Sequence, residues 1–185
     1  MQHERLTCKT HRRNKLIPEE TTPSFEEPLA LLTACHDKVR HFAALTLRLD
    51  SHLAEKGNDK AAQEAARNIM RYFDLAAPLH HADEEEDLFP ALHSLGDQKL
   101  KCSLDELEAE HAELAVLWQS VRQWLEAVTR NCLLVRPTEL DEFASRYPAH
   151  ADREEAEVYG AAGLLSATEL SKIGKRMCQR RGLKS

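Results

Sequence analysis

The 185-residue sequence predicts an all-α fold, an up-down-up-down four-helix bundle followed by a short fifth C-terminal helix. Apolar residues recur at alternating spacings of three and four, which is the period of helices that bury one face. The chain has only six glycines, and most of them lie between the periodic segments. No segment alternates apolar and polar residues between turn residues, so strands are not expected.

Helices are predicted near residues 25–56, 59–93, 103–131, 138–159 and 166–180. The second follows Gly57, with Asn58 and Asp59 as start signals, and the fourth follows Pro137 and Thr138. The other three begin at segments with the form of a capping box, which are Ser24-x-x-Glu27, Ser103-x-x-Glu106 and Ser166-x-x-Glu169.

Three regions are predicted: a mobile N-terminal arm over 1–24, the bundle over 25–160, and a short basic C-terminal helix and tail over 161–185. The arm lacks apolar periodicity. Both ends of the chain are basic, and residues 172–185 carry six basic groups and no acidic one. We expect these ends to be solvated, although RNA, an acidic partner or the acidic middle of the chain would also fit them.

Composition excludes several classes of protein. The net charge of −6 argues against a nucleic-acid partner. No apolar run approaches the roughly 20 residues that span a bilayer, so no membrane partner is expected. The five cysteines form no Cys-x-x-Cys pair, which argues against a disulfide framework and a zinc ribbon. The sequence therefore favours a cytoplasmic location and leaves the oligomeric state open.

An internal repeat relates the two halves of the chain. Pro78-x-His80-x-x-x-Glu84 matches Pro148-x-His150-x-x-x-Glu154 seventy residues later. Leu29-x-x-Leu32-x-x-x-His36 matches Leu104-x-x-Leu107-x-x-x-His111 at an offset of 75. The sequence therefore predicts two copies of a helical hairpin, each with one single histidine and one His-x-x-x-Glu pair.

In an antiparallel bundle, the distances of these residues from the ends of their helices place their side chains at about the same level along the bundle axis. Burying so many polar groups without a common partner would cost too much free energy, and a cation cluster supplies that partner. Mixed imidazole and carboxylate ligation suits iron or manganese better than calcium or structural zinc. We predict two metals, each with two histidines and bridged by both glutamates, with the ligands His36, His80, Glu84, His111, His150 and Glu154.

His81 is an alternative to His80, because His81-x-x-x-Glu85 has the same spacing. Adjacent helical residues point about 100° apart, which suggests that only one of them faces the core layer. The apolar seam and the repeat favour His80, because the counterpart of His81 is Ala151. We expect the acidic run 83–87, apart from Glu84, to form a solvated face, with Glu85 close enough to support a ligand.

The segment from His80 to Pro90 resembles the His-x-x-x-Glu-Glu-x-x-Leu-Phe-Pro signature of the hemerythrin-like, or HHE cation-binding, family. His36, His111 and the pair His150 and Glu154 match the other metal-binding positions of that family. The resemblance covers roughly residues 25–160. It implies a four-helix bundle around two non-haem iron ions, bridged by two glutamate carboxylates.

The resemblance implies a protein that binds or reacts with O2, NO or peroxide, or handles iron, as a sensor or scavenger. A di-iron enzyme that disproportionates peroxide or oxidises iron, or a role in iron–sulfur cluster repair, is the alternative, and enzymatic activity is left open. Oxygen-carrying hemerythrins have a further histidine where this chain has Ala115, and His-x-x-x-x-Asp in the fourth helix. These departures argue against reversible oxygen transport.

Overall fold

Four long helices form the bundle in the computed structural model, which describes residues 23–132 and 135–183. Nearly all of the predicted N-terminal arm lies outside these residues, so its mobility and the division into three regions stay predictions. The first helix, α1, spans Pro28–Lys56, the third, α3, spans Gln98–Thr129, and the fifth, α5, spans Ala167–Arg180. The all-α prediction is confirmed.

The two helices that carry His-x-x-x-Glu are interrupted by wider π-helical turns. We call the second run α2; it passes through Lys60–Arg71, the π-turn Tyr72–Ala76, Ala77–Asp83, the π-turn Glu84–Leu88 and Phe89–His93. The fourth run, α4, comprises Leu140–Glu154 and the π-turn Glu155–Tyr159, and a 3₁₀ turn, Ala161–Leu164, follows it. Such turns are rare, and they occur frequently at functional sites.

The helix starts agree with the sequence in part. The capping box of Ser166 and Glu169 is formed, and Asp59 caps α2 by accepting a hydrogen bond from the Ala62 amide at 2.8 Å. The prediction for α3 is wrong, because the helix begins at Asp97, whose carboxylate accepts the first amides, and Ser103 lies inside it. The predicted box at Ser24 is also absent, since α1 begins without a side-chain cap.

Each long helix packs against two neighbours in the cyclic order α1, α2, α3, α4. Successive helices are antiparallel, because residues in contact have rising numbers on one helix and falling numbers on the next. Tyr72 donates a hydrogen bond to the Cys35 carbonyl and His52 contacts Asp59, so rising numbers on α1 meet falling numbers on α2. The predicted up-down-up-down arrangement follows from this order.

The core consists of two apolar clusters with a polar layer between them. One cluster is rich in aromatic residues and contains Phe73, Trp118 and Phe143. The other lies toward the far end of the bundle and contains Leu32, Leu88, Leu104 and Val158, among others. The residues between these clusters on all four helices are the predicted metal ligands, so the fold places them in the interior of the bundle.

The basic fifth helix packs on α1 and α2, and its solvated character is not observed. Ile173, Met177 and Cys178 are buried. A Cβ atom at Gly174 would collide with the backbone carbonyl of Phe25, so the close approach of α5 to the start of α1 requires glycine there. Tertiary packing therefore makes the described part of the C-terminal region an integral layer of the fold.

The acidic run 83–87 is bonded to this helix, which corrects the prediction of a solvated face. Asp83 and Asp87 are buried, with relative exposures of 0% and 2%. Asp83 is paired with Arg180 and Arg181, and Asp87 with Arg176 and Arg180. A buried carboxylate needs such partners, and the basic helix supplies them from residues almost 100 positions away.

Among the described residues, every helix is too short or too polar to cross a lipid bilayer. The four cysteines in this part of the chain are free thiols: Cys35, Cys102, Cys132 and Cys178.

Candidate metal centre

All six predicted ligands are buried and lie in the single polar layer. Their relative exposures are between 0% and 5%. The helix α1 contributes His36, α2 contributes His80 and Glu84, α3 contributes His111, and α4 contributes His150 and Glu154. Four helices therefore bring four imidazoles and two carboxylates together, although these residues span almost 120 positions of the sequence.

His36, His80 and the two glutamates form one compact group. Their possible ligand atoms all lie within 4.8 Å of one another. His36 Nε2 is 3.0 Å from Glu154 Oε2, and His80 Nε2 is 3.5 Å from Glu84 Oε2. This spacing suits donor atoms that surround one cation.

His111 and His150 lie on the other side of the same glutamates. His150 Nε2 is 3.1 Å from Glu154 Oε1, and His111 Nε2 is 3.4 Å from that oxygen. His111 Nε2 also lies 3.8 Å from Glu84 Oε2. Both glutamates therefore stand between two pairs of imidazoles, which is the placement that a bridging carboxylate requires.

Several donor atoms of this layer have no partner. Glu84 Oε2, His150 Nε2 and Glu154 Oε2 are buried and make no hydrogen bond within the described residues. Two of these atoms lie within 3.1 Å of another donor atom without the alignment of a hydrogen bond. Unpartnered buried polar atoms are costly, and a cation with imidazole and carboxylate ligands would satisfy them, so the residues fit a metal.

Glutamates fix the outer nitrogens of three of the imidazoles. His36 Nδ1 lies 2.8 Å from Glu155 Oε1, His111 Nδ1 2.6 Å from Glu85 Oε1, and His150 Nδ1 2.8 Å from Glu110 Oε2. A hydrogen bond at Nδ1 leaves Nε2 free to bind a metal and makes it more basic. The predicted supporting role of Glu85 agrees with this contact.

Arginines extend two of these contacts toward the surface. Arg40 donates to Glu155 at 3.0 Å, and Arg153 is paired with Glu110. Arg40 and Arg153 lie in different halves of the internal repeat. His36 and His150 are therefore each supported by the same sequence of groups, a carboxylate at Nδ1 and a guanidinium beyond it.

Comparison with known proteins identifies the family of this site. The hemerythrin HHE cation binding domain matches residues 27–162. The chain belongs to the hemerythrin HHE cation-binding family. Such domains bind a metal cation, usually iron, and the His and Glu cluster provides a candidate site for it. The chain is also 32% identical over 171 residues to an uncharacterized protein of Haemophilus influenzae, covering 92% of this chain and 99% of that protein.

Within this HHE domain, the two adjacent glutamates of α4 have different positions. Glu154 is fully buried and faces the imidazoles, whereas Glu155 is partly exposed and contacts His36 Nδ1 and Arg40 from outside. The carboxylate at the His-x-x-x-Glu spacing is therefore the inner one. The adjacent carboxylate, that of Glu155, lies outside the layer and contacts the imidazole of His36 there.

Tyr159, which is not among the residues predicted from the sequence, lies at the edge of the layer. Its hydroxyl donates a hydrogen bond to Glu84 Oε1 at 2.6 Å and lies 3.2 Å from His36 Nε2, and its ring stacks on His36. Burial, followed by the charge of Glu84, raises the pKa of Tyr159 well above its usual range. The internal repeat contained a signal, because Tyr159 corresponds to Phe89 and differs from it by this hydroxyl.

Three groups of the layer have pKa values that are shifted from their ordinary ranges. Burial lowers the pKa of His80 to about 3, which keeps it in the neutral form that binds metals. Burial and the charge of Glu154 raise the pKa of Glu84 well above its usual range. Burial disfavours the charge of Glu154 as well, but contacts with His111, His150 and His36 outweigh it and lower the pKa of Glu154. The two carboxylates are therefore shifted in opposite directions, which favours the protonated form of Glu84 and the charged form of Glu154.

Both adjacent histidines of α2 reach the layer, contrary to the expectation that only one would. The His80 ring contacts His36 on α1, whereas the His81 ring stacks on His111 of α3. Adjacent side chains on α2 still point about 100° apart, but this helix packs against α1 on one side and α3 on another. Two directions 100° apart therefore both lead into the bundle.

Proposed function

We propose that this chain binds two iron ions in the polar layer and that the pair binds or reacts with O2, NO or peroxide. His36 and His80 would hold one ion, His111 and His150 the other, and Glu84 and Glu154 would bridge them. The observation that carries the proposal is the set of buried imidazole and carboxylate atoms that have no hydrogen-bond partner. When bound, such a pair supplies redox electrons and Lewis-acid positions.

The enclosure of the site favours a small ligand. All six proposed ligands are buried under the two apolar clusters of the bundle. The large surface groove between the start of α3 and the end of α4, which includes Leu100, Arg153 and Leu164, contains none of them. A diatomic molecule or peroxide can enter such an interior, whereas a larger substrate would have to separate the helices.

The protein's own groups control protons around the layer. The hydroxyl of Tyr159 keeps its proton and presents it to Glu84 beside the group of His36 and His80. The outer glutamates orient three imidazoles so that Nε2 faces inward. These contacts support a preformed site in which a small ligand meets one neutral proton donor beside imidazoles whose Nε2 atoms face inward.

The test is reconstitution of the full chain with Fe²⁺ under anaerobic conditions, followed by metal analysis and optical spectra. We expect two irons per chain and spectral changes on exposure to air, NO or peroxide. The matched control is Glu142→Gln, which changes an exposed glutamate of α4 that is paired with Arg146. Saturation at one iron per chain would contradict the bridged pair.

The same experiment separates a sensor or scavenger from an enzyme. A spectrum that changes once and then persists in excess peroxide indicates binding or stoichiometric reaction. Continuous evolution of O2 from peroxide would instead indicate a peroxide-disproportionating enzyme. Rapid oxidation of the reduced protein in air is expected, because Ala115 replaces the further histidine of the oxygen carriers. An oxygen complex that lasts for hours and reverses would contradict this expectation.

A further inference from the structure

His81 belongs to a second cluster of possible ligand atoms, beside the group of His36 and His80. Donor atoms of His81, His111 and His150 all lie within 4.8 Å of one another. The His81 and His111 rings are nearly parallel, at 8°, with centroids 3.9 Å apart. The His150 ring lies 4.7 Å from that of His111 and 6.2 Å from that of His81. Three imidazoles from three helices therefore converge on one side of the bridging glutamates.

We propose that His81 is a fifth imidazole ligand, bound to the same metal as His111 and His150. This inference rests on the proposed function, since it assigns one more donor to that metal pair. It replaces the histidine that Ala115 cannot supply on α3 with one from the facing helix α2.

The surroundings of His81 distinguish it from the other histidines outside the predicted set. His52 and His93 are partly exposed and are paired with surface aspartates, Asp59 and Asp105. The His81 ring instead faces the polar layer, and no hydrogen bond to it is present among the described residues. A ring that is held only by stacking is free to turn its nitrogen toward a cation.

The assignment makes the two metal positions unequal. The position of His111 and His150 would have three imidazoles, and that of His36 and His80 would have two, with both carboxylates shared. The position with fewer protein donors has more room for an external ligand. O2, NO or peroxide is therefore expected to bind beside His36 and His80, which is where the Tyr159 hydroxyl lies.

The experiment compares the wild-type chain with His81→Phe and His81→Ala. Phenylalanine keeps an aromatic ring against His111 but has no donor nitrogen, so it separates ligation from stacking. His41→Phe is the control, because it makes the same change at an exposed position of α1. Apo proteins are titrated anaerobically with Co²⁺ against a chelator, circular dichroism monitors helix content, and NMR counts the exchangeable imidazole N–H signals shifted by Co²⁺.

We expect two Co²⁺ per chain in the wild type and in His41→Phe. Both His81 variants should bind one Co²⁺ with unchanged affinity and the second about 100-fold more weakly. The shifted imidazole signals should fall from five in the wild type to four in His81→Phe at saturating Co²⁺. Wild-type affinities for both ions in His81→Phe, or four shifted signals in both proteins, would overturn the assignment and leave only stacking. Fewer than two Co²⁺ in the wild type would instead refute the metal pair itself.

Discussion

The imidazoles in the polar layer differ in the group that contacts Nδ1, the ring nitrogen directed away from the proposed metals. His36, His111 and His150 each have a glutamate at Nδ1, whereas His80 Nδ1 has no partner among the described residues. A glutamate at that nitrogen fixes the ring and strengthens its bond to a metal. His80 therefore depends on packing alone for its orientation, and the other three depend on groups near the surface.

Replacing Glu155 by glutamine is expected to weaken metal binding without unfolding the protein. The amide oxygen still accepts a hydrogen bond from His36 Nδ1, but the negative charge that makes the imidazole more basic is lost. We expect the affinity for Fe²⁺ to fall by about 10- to 100-fold, as measured by competition with a chelator. Glu142→Gln is the control on the same helix, and equal affinities of the two variants would show that Glu155 does not support the site.

The metal-free protein should lose stability as the pH falls from about 6.5 toward 5. Folded His80 has a pKa of about 3, whereas the unfolded chain takes up that proton near pH 6.5. The unfolded state therefore binds more protons in this range, and the stability provided by the neutral ring, complete above pH 6.5, is lost as the pH falls. The lowered pKa of His81 acts in the same direction, whereas the raised pKa values of Glu84 and His150 oppose it.

The variant His80→Gln isolates the contribution of this ring. It should flatten the dependence of the unfolding free energy on pH by up to about 1.4 kcal/mol per pH unit. Urea unfolding of the metal-free wild type and variant at several values between pH 6.5 and 5 measures this slope. An identical slope in both proteins would mean that His80 is already protonated in the folded state.

At the scale of the helices, α5 has a structural role that its basic composition does not indicate. Two arginines of this helix and Arg181 directly after it neutralise Asp83 and Asp87, which flank the candidate ligand Glu84 on the π-turned segment of α2. The helix also approaches the backbone of Phe25, just before α1, so closely that Gly174 has no room for a side chain. It therefore supports the backbone that carries Glu84, from outside the four-helix bundle.

Removing Arg180 and Arg181 together should destabilise the whole protein. The change to alanine leaves Asp83, which is fully buried, without a cationic partner. Breaking a buried pair in this way costs about 3–5 kcal/mol, which urea unfolding of the metal-free protein measures. Arg146→Ala, which breaks only pairs with partly exposed glutamates, should cost less than about 1 kcal/mol. Equal losses in the two proteins would contradict a structural role for the α5 contacts.

At the scale of the whole molecule, periodicity predicted the helices and the buried layer well. The stripe from Leu104 to Val128 and the six candidate ligands are buried as expected. Helical spacing determines which residues share a face, and the internal repeat aligned those faces along the chain. These two local properties were sufficient to locate the layer before any tertiary contact was known.

What the sequence did not predict depends on contacts between distant elements. The pairing of Arg180 with Asp83 requires α5 to fold back on α2, and local spacing contains no information about that. The position of His81 beside His111 was not expected, because α2 packs against both α1 and α3, and helical spacing alone does not show a second neighbour. Tyr159 was missed because an aromatic residue after the His-x-x-x-Glu repeat has the same periodicity whether or not it has a hydroxyl.

The polar layer interrupts an otherwise apolar core, so metal binding and folding stability are coupled. Glu84 lies beside Glu154 with one unpartnered oxygen, and its pKa is raised by burial and by that neighbour. In the metal-free protein its protonated form is therefore favoured. Glutamine has nearly the same shape as a protonated glutamate and still accepts the hydrogen bond from Tyr159, but it cannot bridge two cations as a charged carboxylate does.

Glu84→Gln should therefore leave the stability of the metal-free protein nearly unchanged. It should remove most of the stabilisation that metal binding adds. A ligand that binds only the folded state adds about 2.7 kcal/mol at one hundred times its dissociation constant. For a chain of this length, that gain raises the melting temperature of the wild type by roughly 5–10 °C. Thermal unfolding with and without Fe²⁺, under anaerobic conditions, measures it for both proteins. The same rise in both would show that Glu84 is not a ligand, whereas a large loss of stability without metal would show that its charge, rather than its shape, holds the layer together.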